Sequence, residues 1–225
     1  MIHSIVSEKP SPSAVAVVFV PCVVFRRAGQ LPCRREETAM RGIFAQQIGA
    51  RSGSEAGDRL LRHALRRAYP DAPLPLLRAK LKNGKPYLPA YPRFHFSLSH
   101  SGAWCVCAVS EFPLGVDLEQ VREVRRGIPE RYFSPEECAL LAALPHAAFF
   151  DFWTLKEAAV KASGVGLARG LSRAPVTLAE TPVIELEHFR AFPVAFCDKK
   201  YRLSLCLSRA DSDWTNADLQ VIIIE

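Results

Sequence analysis

Apolar residues along this chain recur with two distinct periods, and the periods alternate. Val15 to Phe25 is an apolar run rich in β-branched residues and predicts a buried strand. Over Ser54 to Tyr69 the spacing becomes helical. Leu60, Leu61, Ala64, Leu65 and Ala68 fall on one side, Arg59, Arg62, Arg66 and Arg67 lie elsewhere around it, and Pro70 stops it. Residues 70 to 92 are turn-rich and include Lys82-Asn83-Gly84-Lys85-Pro86, a turn signal with two cations. Phe94 to Ser99 then alternates strictly, with Phe94, Phe96 and Leu98 on one face. A tight loop over His100-Ser101-Gly102 leads into the apolar run Ala103 to Val109, which predicts a hairpin whose turn carries hydroxyls, an imidazole and a glycine. The strand Leu114 to Glu119 follows at once, so hairpin turn and strand are expected in one sheet.

Further on, Ser134-Pro135-Glu136-Glu137 is a helix start: Ser134 caps, Pro135 suits the first helical position and Glu137 completes a capping box. A second helix is predicted from His146 to Ser163, with Gly164 as its stop. On it Trp153, Glu157 and Lys161 recur every four residues and share a face. Tyr201 to Leu207 and Leu219 to Ile224 close the chain as strands. This strand–helix–strand character predicts an α/β or α+β fold. At 225 residues and 49% hydrophobic, the chain can bury the core of one large domain or two tightly associated small ones. Seventeen prolines and twelve glycines argue against a long helical bundle.

The charge is uneven. Residues 1–110 carry sixteen Lys and Arg against six Asp and Glu, whereas residues 111–225 carry thirteen against seventeen. A basic half facing an acidic half can hold an anion between them, with a cation supplied to the acidic side. The basic residues are dispersed, without a zinc-finger, RNA-recognition or heptad signature, so nucleic acid is not the expected partner. Seven scattered cysteines with no C-x-x-C read as buried small hydrophobes in a reducing compartment, and the expected location is the cytoplasm. Ala14 to Phe25, interrupted by Pro21, is too short to span a bilayer, and no membrane association is expected.

The candidate chemistry centres on Leu114-Gly115-Val116-Asp117-Leu118-Glu119. Strand alternation sends Asp117 and Glu119 to one face and Leu114, Val116 and Leu118 to the other. Two adjacent carboxylates repel, and a bound cation or a shared proton relieves them. For the pair alone, a solvated strand face is the commoner outcome. A third carboxylate, Glu157, lies in Trp153-Thr154-Leu155-Lys156-Glu157-Ala158-Ala159-Val160-Lys161 and suggests a hard-metal phosphate site.

Phe96-Ser97-Leu98-Ser99-His100-Ser101, Gly115 to Glu119 and Trp153 to Lys161, in this order, resemble three signatures of the surfactin-type 4′-phosphopantetheinyl transferases. Gly84-Lys85-Pro86 resembles a fourth, and the likeness covers roughly residues 54 to 176. It implies an α/β pseudo-dimer of half-domains 1–112 and 113–225, the second carrying the acidic metal site, with the active site in the cleft between them. It also implies transfer of the phosphopantetheine arm of coenzyme A to a serine of an apo acyl or peptidyl carrier protein, releasing adenosine 3′,5′-bisphosphate. The implied magnesium ligands are Asp117, Glu119 and Glu157. Glu157, or a carboxylate-bound water, is the implied base, and Lys161 offsets charge on the leaving phosphate. Coenzyme A contacts are implied for Lys85, Ser99, His100, Lys156 and Lys161, with Arg41 and Arg51 the nearest candidates for the basic residues of the N-terminal half. Internal duplication would make the protein a monomer. Ser97 stands where the family often has asparagine.

Overall fold

The computed structural model describes residues 40–165, 174–178, 181–211, 214 and 218–225. The strand expected over residues 15–25 lies outside them. In chain order the elements are β1 (Gly42–Gln47), α1 (Gly53–Ala68), β2 (Ala79–Lys80), β3 (Pro86–Tyr87), β4 (His95–Ser101), β5 (Trp104–Ser110), β6 (Leu114–Gln120), α2 (Ile128–Tyr132), α3 (Pro135–Ala143), α4 (Ala148–Ser163), β7 (Thr177–Leu178), β8 (Pro182–Glu185), β9 (Phe189–Val194), β10 (Tyr201–Ser208) and β11 (Val221–Ile223).

Both long helices form where periodicity placed them. α1 starts at a capping box, Ser52 accepting from the Glu55 N–H while the Glu55 carboxylate accepts from the Ser52 N–H. The pattern Ser-x-x-Glu was there to be read, although the apolar spacing alone located the helix. Ser134 and Glu137 cap α3 in the same way, as expected. α4 ends at Gly164, whose φ of 70° a glycine adopts without strain.

The strands form two main sheets, ordered β11-β1-β5-β4 and β6-β10-β9-β8-β7. Their cores are antiparallel, and in each the first strand leads through helical structure to later strands and pairs with the last of the antiparallel run (β1 with β5, β6 with β10). Strand alternation sorts the apolar side chains into three layers. Phe44, Phe96, Cys105 and Val109 of the first sheet pack under Leu60, Leu61, Ala64 and Leu65 of α1. Ile43, Ala45, Val106 and Ala108 face the other way, onto Leu114, Val116 and Leu118 of β6 and Leu203, Leu205 and Leu207 of β10. Leu155, Ala158, Ala159 and Ala162 of α4 cover Ile184, Ala191 and Cys206 on the outer face of the second sheet. The result is a helix–sheet–sheet–helix stack in the α+β class.

Two expectations are corrected. His100 and Ser101 belong to β4, and the hairpin turn is only Gly102-Ala103, because Ser101 still pairs with Trp104. Gly102 has φ +52°, and a Cβ there would meet the Tyr201 hydroxyl, so a tighter turn than the hydroxyl-rich loop was selected. The hairpin and β6 lie in different sheets, since the far edge of β6 pairs with β10. β11 pairs in parallel with β1, which brings the end of the chain into the first sheet.

Candidate active site

The site forms along the seam where the edge strands β4 and β6 meet. Leu114, Val116 and Leu118 anchor β6 in the core between the sheets, and alternation turns Gly115, Asp117 and Glu119 toward the opposite face. α4 lies close over that face: a Cβ on Gly115 would sit 2.0 Å from the Ala158 carbonyl oxygen. Only glycine permits that approach, and it brings Glu157 and Lys161 against the acidic pair.

No backbone ladder joins β6 to β4. Hydroxyls on alternate residues of β4 do so: Ser97, Ser99 and Ser101 accept the backbone N–H groups of Val116, Leu118 and Gln120 at 3.0, 3.2 and 3.0 Å. Ser99 donates in turn to Asp117 Oδ1 and Ser101 to Glu119 Oε2, each at 2.8 Å. Lys161 Nζ donates to the same Asp117 oxygen at 2.6 Å and to the Val116 carbonyl at 3.1 Å. Arg122 stands 3.4 Å from Glu119.

Burial, with repulsion from Asp117 and Glu119, pushes the Glu157 carboxyl up to about 7 against the attraction of Lys161. Glu119 is raised for the same reasons, burial first, with its Ser101 bond, Arg122 and Lys161 opposing. The three acids therefore share one electrostatic neighbourhood. Among the described residues no three His, Cys, Asp or Glu side chains form a ready-made metal cage. Yet Asp117 Oδ2 is buried without a hydrogen-bond partner, a costly state that a cation relieves. All three donors are hard oxygens, so the set fits magnesium in chemical type.

Comparison with known proteins decides the family. The model of the 4′-phosphopantetheinyl transferase superfamily matches residues 113–216. A 4′-phosphopantetheinyl transferase of Bacillus subtilis is 35% identical over 164 residues, 69% of this chain and 73% of the relative. The chain belongs to this superfamily.

Other relatives agree. The transferase psf-1 of Bacillus pumilus is 38% identical over 128 residues, 55% of each chain. The L-aminoadipate-semialdehyde dehydrogenase-phosphopantetheinyl transferase of Mus musculus is 32% identical over 112 residues, 42% of this chain and 36% of its own. The chain is thus a phosphopantetheinyl transferase, and the remaining candidate residues can be placed within that enzyme.

Two cavities flank the acidic cluster of this phosphopantetheinyl transferase. One, of about 310 Å³, is lined by Asn83, Lys85, Pro86, Leu98 and Lys161. The other, of about 370 Å³, is lined by Glu119, Arg122, Arg125, Ile128, Phe149 and Trp153. Lys85 donates to the carbonyls of Leu114 and Ala162 at 3.0 and 3.1 Å, tying the start of β6 to the end of α4, and burial pushes its amine down to about 8. His100 lies against the first turn of α1, its ring 2.7 Å from where a Gly53 Cβ would be. Arg51 is exposed just before that turn.

Two expected coenzyme A contacts are not brought to the site. Lys156 points to the other side of α4, only 1% exposed, with Nζ 2.9 Å from Glu137 Oε2 and 2.9 Å from the Ala174 carbonyl, and over the Phe133 ring. Adjacent helical residues point about 100° apart, so Glu157 and Lys156 cannot both face β6. Arg41 precedes β1 at the end opposite Arg51, where its Nε lies 3.0 Å from Asp211 Oδ1. Asp211 also accepts from Ser110 and from Trp214. Ser101, expected as a hydroxyl of the hairpin turn, is instead the partner of Glu119, and the signal for that was the shared i, i+2 spacing of Ser97-x-Ser99-x-Ser101 and Asp117-x-Glu119.

Proposed function

We propose that this transferase moves the 4′-phosphopantetheine arm of coenzyme A to a serine of an apo acyl or peptidyl carrier protein, with magnesium, releasing adenosine 3′,5′-bisphosphate. The observation that carries this reading is the partnerless, buried Asp117 Oδ2 in a cluster where burial, and then its acidic neighbours, push Glu157 up to about 7. Asp117, Glu119 and Glu157 would hold the magnesium ion, whose contribution when bound is to neutralise the pyrophosphate of coenzyme A.

Glu157 takes the proton of the carrier serine. The serine oxygen bonds to the phosphorus that bears the pantetheine, and the bond from that phosphorus to the oxygen of the adenosine bisphosphate breaks. Lys161 offsets charge on the departing phosphate. The cavity of about 310 Å³ beside Lys85 and Lys161 suits the phosphates of the donor. Arg51, His100 and the N–H groups that open α1 offer a second anion position. Arg41 and Lys156 have no part in this reading. Free thiols at Cys105, Cys107, Cys138, Cys197 and Cys206 support a cytoplasmic setting, and no described helix is long and apolar enough to cross a membrane. The two similar sheets support a pseudo-duplicated monomer.

The test is incubation with coenzyme A and an apo carrier, followed by mass spectrometry of the carrier. The carrier gains the arm with magnesium and not after chelation. Asp117→Ala and Glu157→Ala lower the rate by about 100-fold or more while keeping the wild-type circular dichroism spectrum. Full transfer by either folded variant contradicts the assignment.

A further inference from the structure

The hydroxyls of β4 repeat one geometry three times. Each accepts the N–H of a β6 residue, and the side chain just before that residue stands opposite the hydroxyl. For Ser99 and Ser101 the opposing side chains are Asp117 and Glu119, and each hydroxyl donates to its carboxylate at 2.8 Å. For Ser97 the opposing residue is Gly115, which has no side chain to receive the proton. A serine hydroxyl has one proton to give. That of Ser99 goes to Asp117 Oδ1, and the residue is only 8% exposed.

We propose that Ser99 and Ser101 are positioning residues that fix Asp117 and Glu119 for a divalent cation. The inference rests on the cation site proposed above. Each serine ties its carboxylate to the adjacent backbone of β6, so the carboxylate oxygens are oriented before any ion arrives. Asp117 is held through Oδ1, which leaves Oδ2 for the ion. Partners that orient metal ligands typically govern affinity by about 10–100-fold.

The experiment is titration of the full chain with Mn²⁺ in the presence of coenzyme A, free ion being followed by electron paramagnetic resonance. Ser99→Ala and Ser101→Ala are expected to weaken Mn²⁺ binding about 10–100-fold. Ser99→Thr, which restores the hydroxyl, keeps wild-type affinity. Ser97→Ala is the built-in control: it loses the same kind of N–H acceptor, and its melting temperature falls as in the other alanine variants, yet its Mn²⁺ affinity is unchanged. Steady-state kinetics of transfer completes the comparison. Wild-type Mn²⁺ affinity in a folded Ser99→Ala overturns the proposal. Absence of Mn²⁺ binding by the wild-type protein instead removes the cation site itself and the proposal with it. If Ser99→Ala does not fold, Ser101→Ala against Ser97→Ala decides the same question.

Discussion

Lys156 and Lys161 show how little a residue type says without its direction. Both are lysines of α4 in one motif, yet Lys161 lies on Asp117 at 2.6 Å and Lys156 on Glu137 at 2.9 Å, on different sides of the helix. The Lys156 ion pair is dry: both side chains are under 8% exposed, and Glu137 also accepts from the Ser134 and Val176 N–H groups. Removing one member of a buried pair strands the other, so Lys156→Met is expected to cost about 3–5 kcal/mol in urea denaturation. Lys156→Met/Glu137→Gln, which removes the stranded charge but keeps an acceptor for the Ser134 and Val176 N–H groups, recovers part of that loss, and the folded single variant keeps its KM for coenzyme A. A stable Lys156→Met with a raised KM would restore Lys156 to the substrate site. At this scale the sequence made the three acids legible, because alternation and helical spacing are local. It did not reveal that Ser99 turns its proton inward or that Arg41 is taken by Asp211, since those partners lie 18 and 170 residues away.

Elements were easier to read than their pairings. α1, α4 and the strands of the hairpin, β6 and β10 all lie where the apolar period placed them, because each buries one face. The assignment of β4 and β6 to one sheet failed for a physical reason. Chain proximity favours pairing, but β6 is drawn onto β10 over seven residue pairs, leaving serine hydroxyls for the N–H groups of its other edge and Lys85 and Lys161 for two of its carbonyls. The seam thereby keeps a gap wide enough for side chains, and the acidic cluster occupies it. How closely α4 approaches is set by Gly115. In Gly115→Ala the new Cβ would lie 2.0 Å from the Ala158 carbonyl oxygen and 2.6 Å from the Ala162 nitrogen, both backbone, so the helix must move. Overpacking of this kind costs about 1–3 kcal/mol. Because Glu157 and Lys161 ride on the same helix, a shift on the order of 1 Å is expected to lower kcat about 100-fold. Urea denaturation and kinetics of transfer measure the two effects. A Gly115→Ala protein with wild-type kcat would mean that the site does not depend on the closeness of α4.

For the whole molecule, the core between the sheets is what holds the seam in register. Both inner faces contribute to it, and β11 adds Val221 to that core while its neighbours Ile222 and Ile224 pack on the α1 side. The apolar run Leu219 to Ile224 predicted this strand, but a parallel partner 178 residues earlier leaves no local mark, since Ile43 pairs with Val221 only through the completed fold. The last strand of the second half therefore ties the first sheet to the rest, and the two halves are expected to unfold together. Trp104 reports on this core directly, packing there with Tyr201 and Phe196. Unfolding in urea followed by Trp104 fluorescence, in a Trp153→Phe/Trp214→Phe background, should coincide with unfolding followed by far-ultraviolet circular dichroism, as for one cooperative transition. Leu205→Ala, at a fully buried position of β10 facing the first sheet, should move both curves together by about 2–5 kcal/mol. Two separated transitions, or a Leu205→Ala shift confined to one probe, would mean that the halves fold independently. The seam would then be a docking of two units, and the acidic cluster would depend on that docking for its geometry.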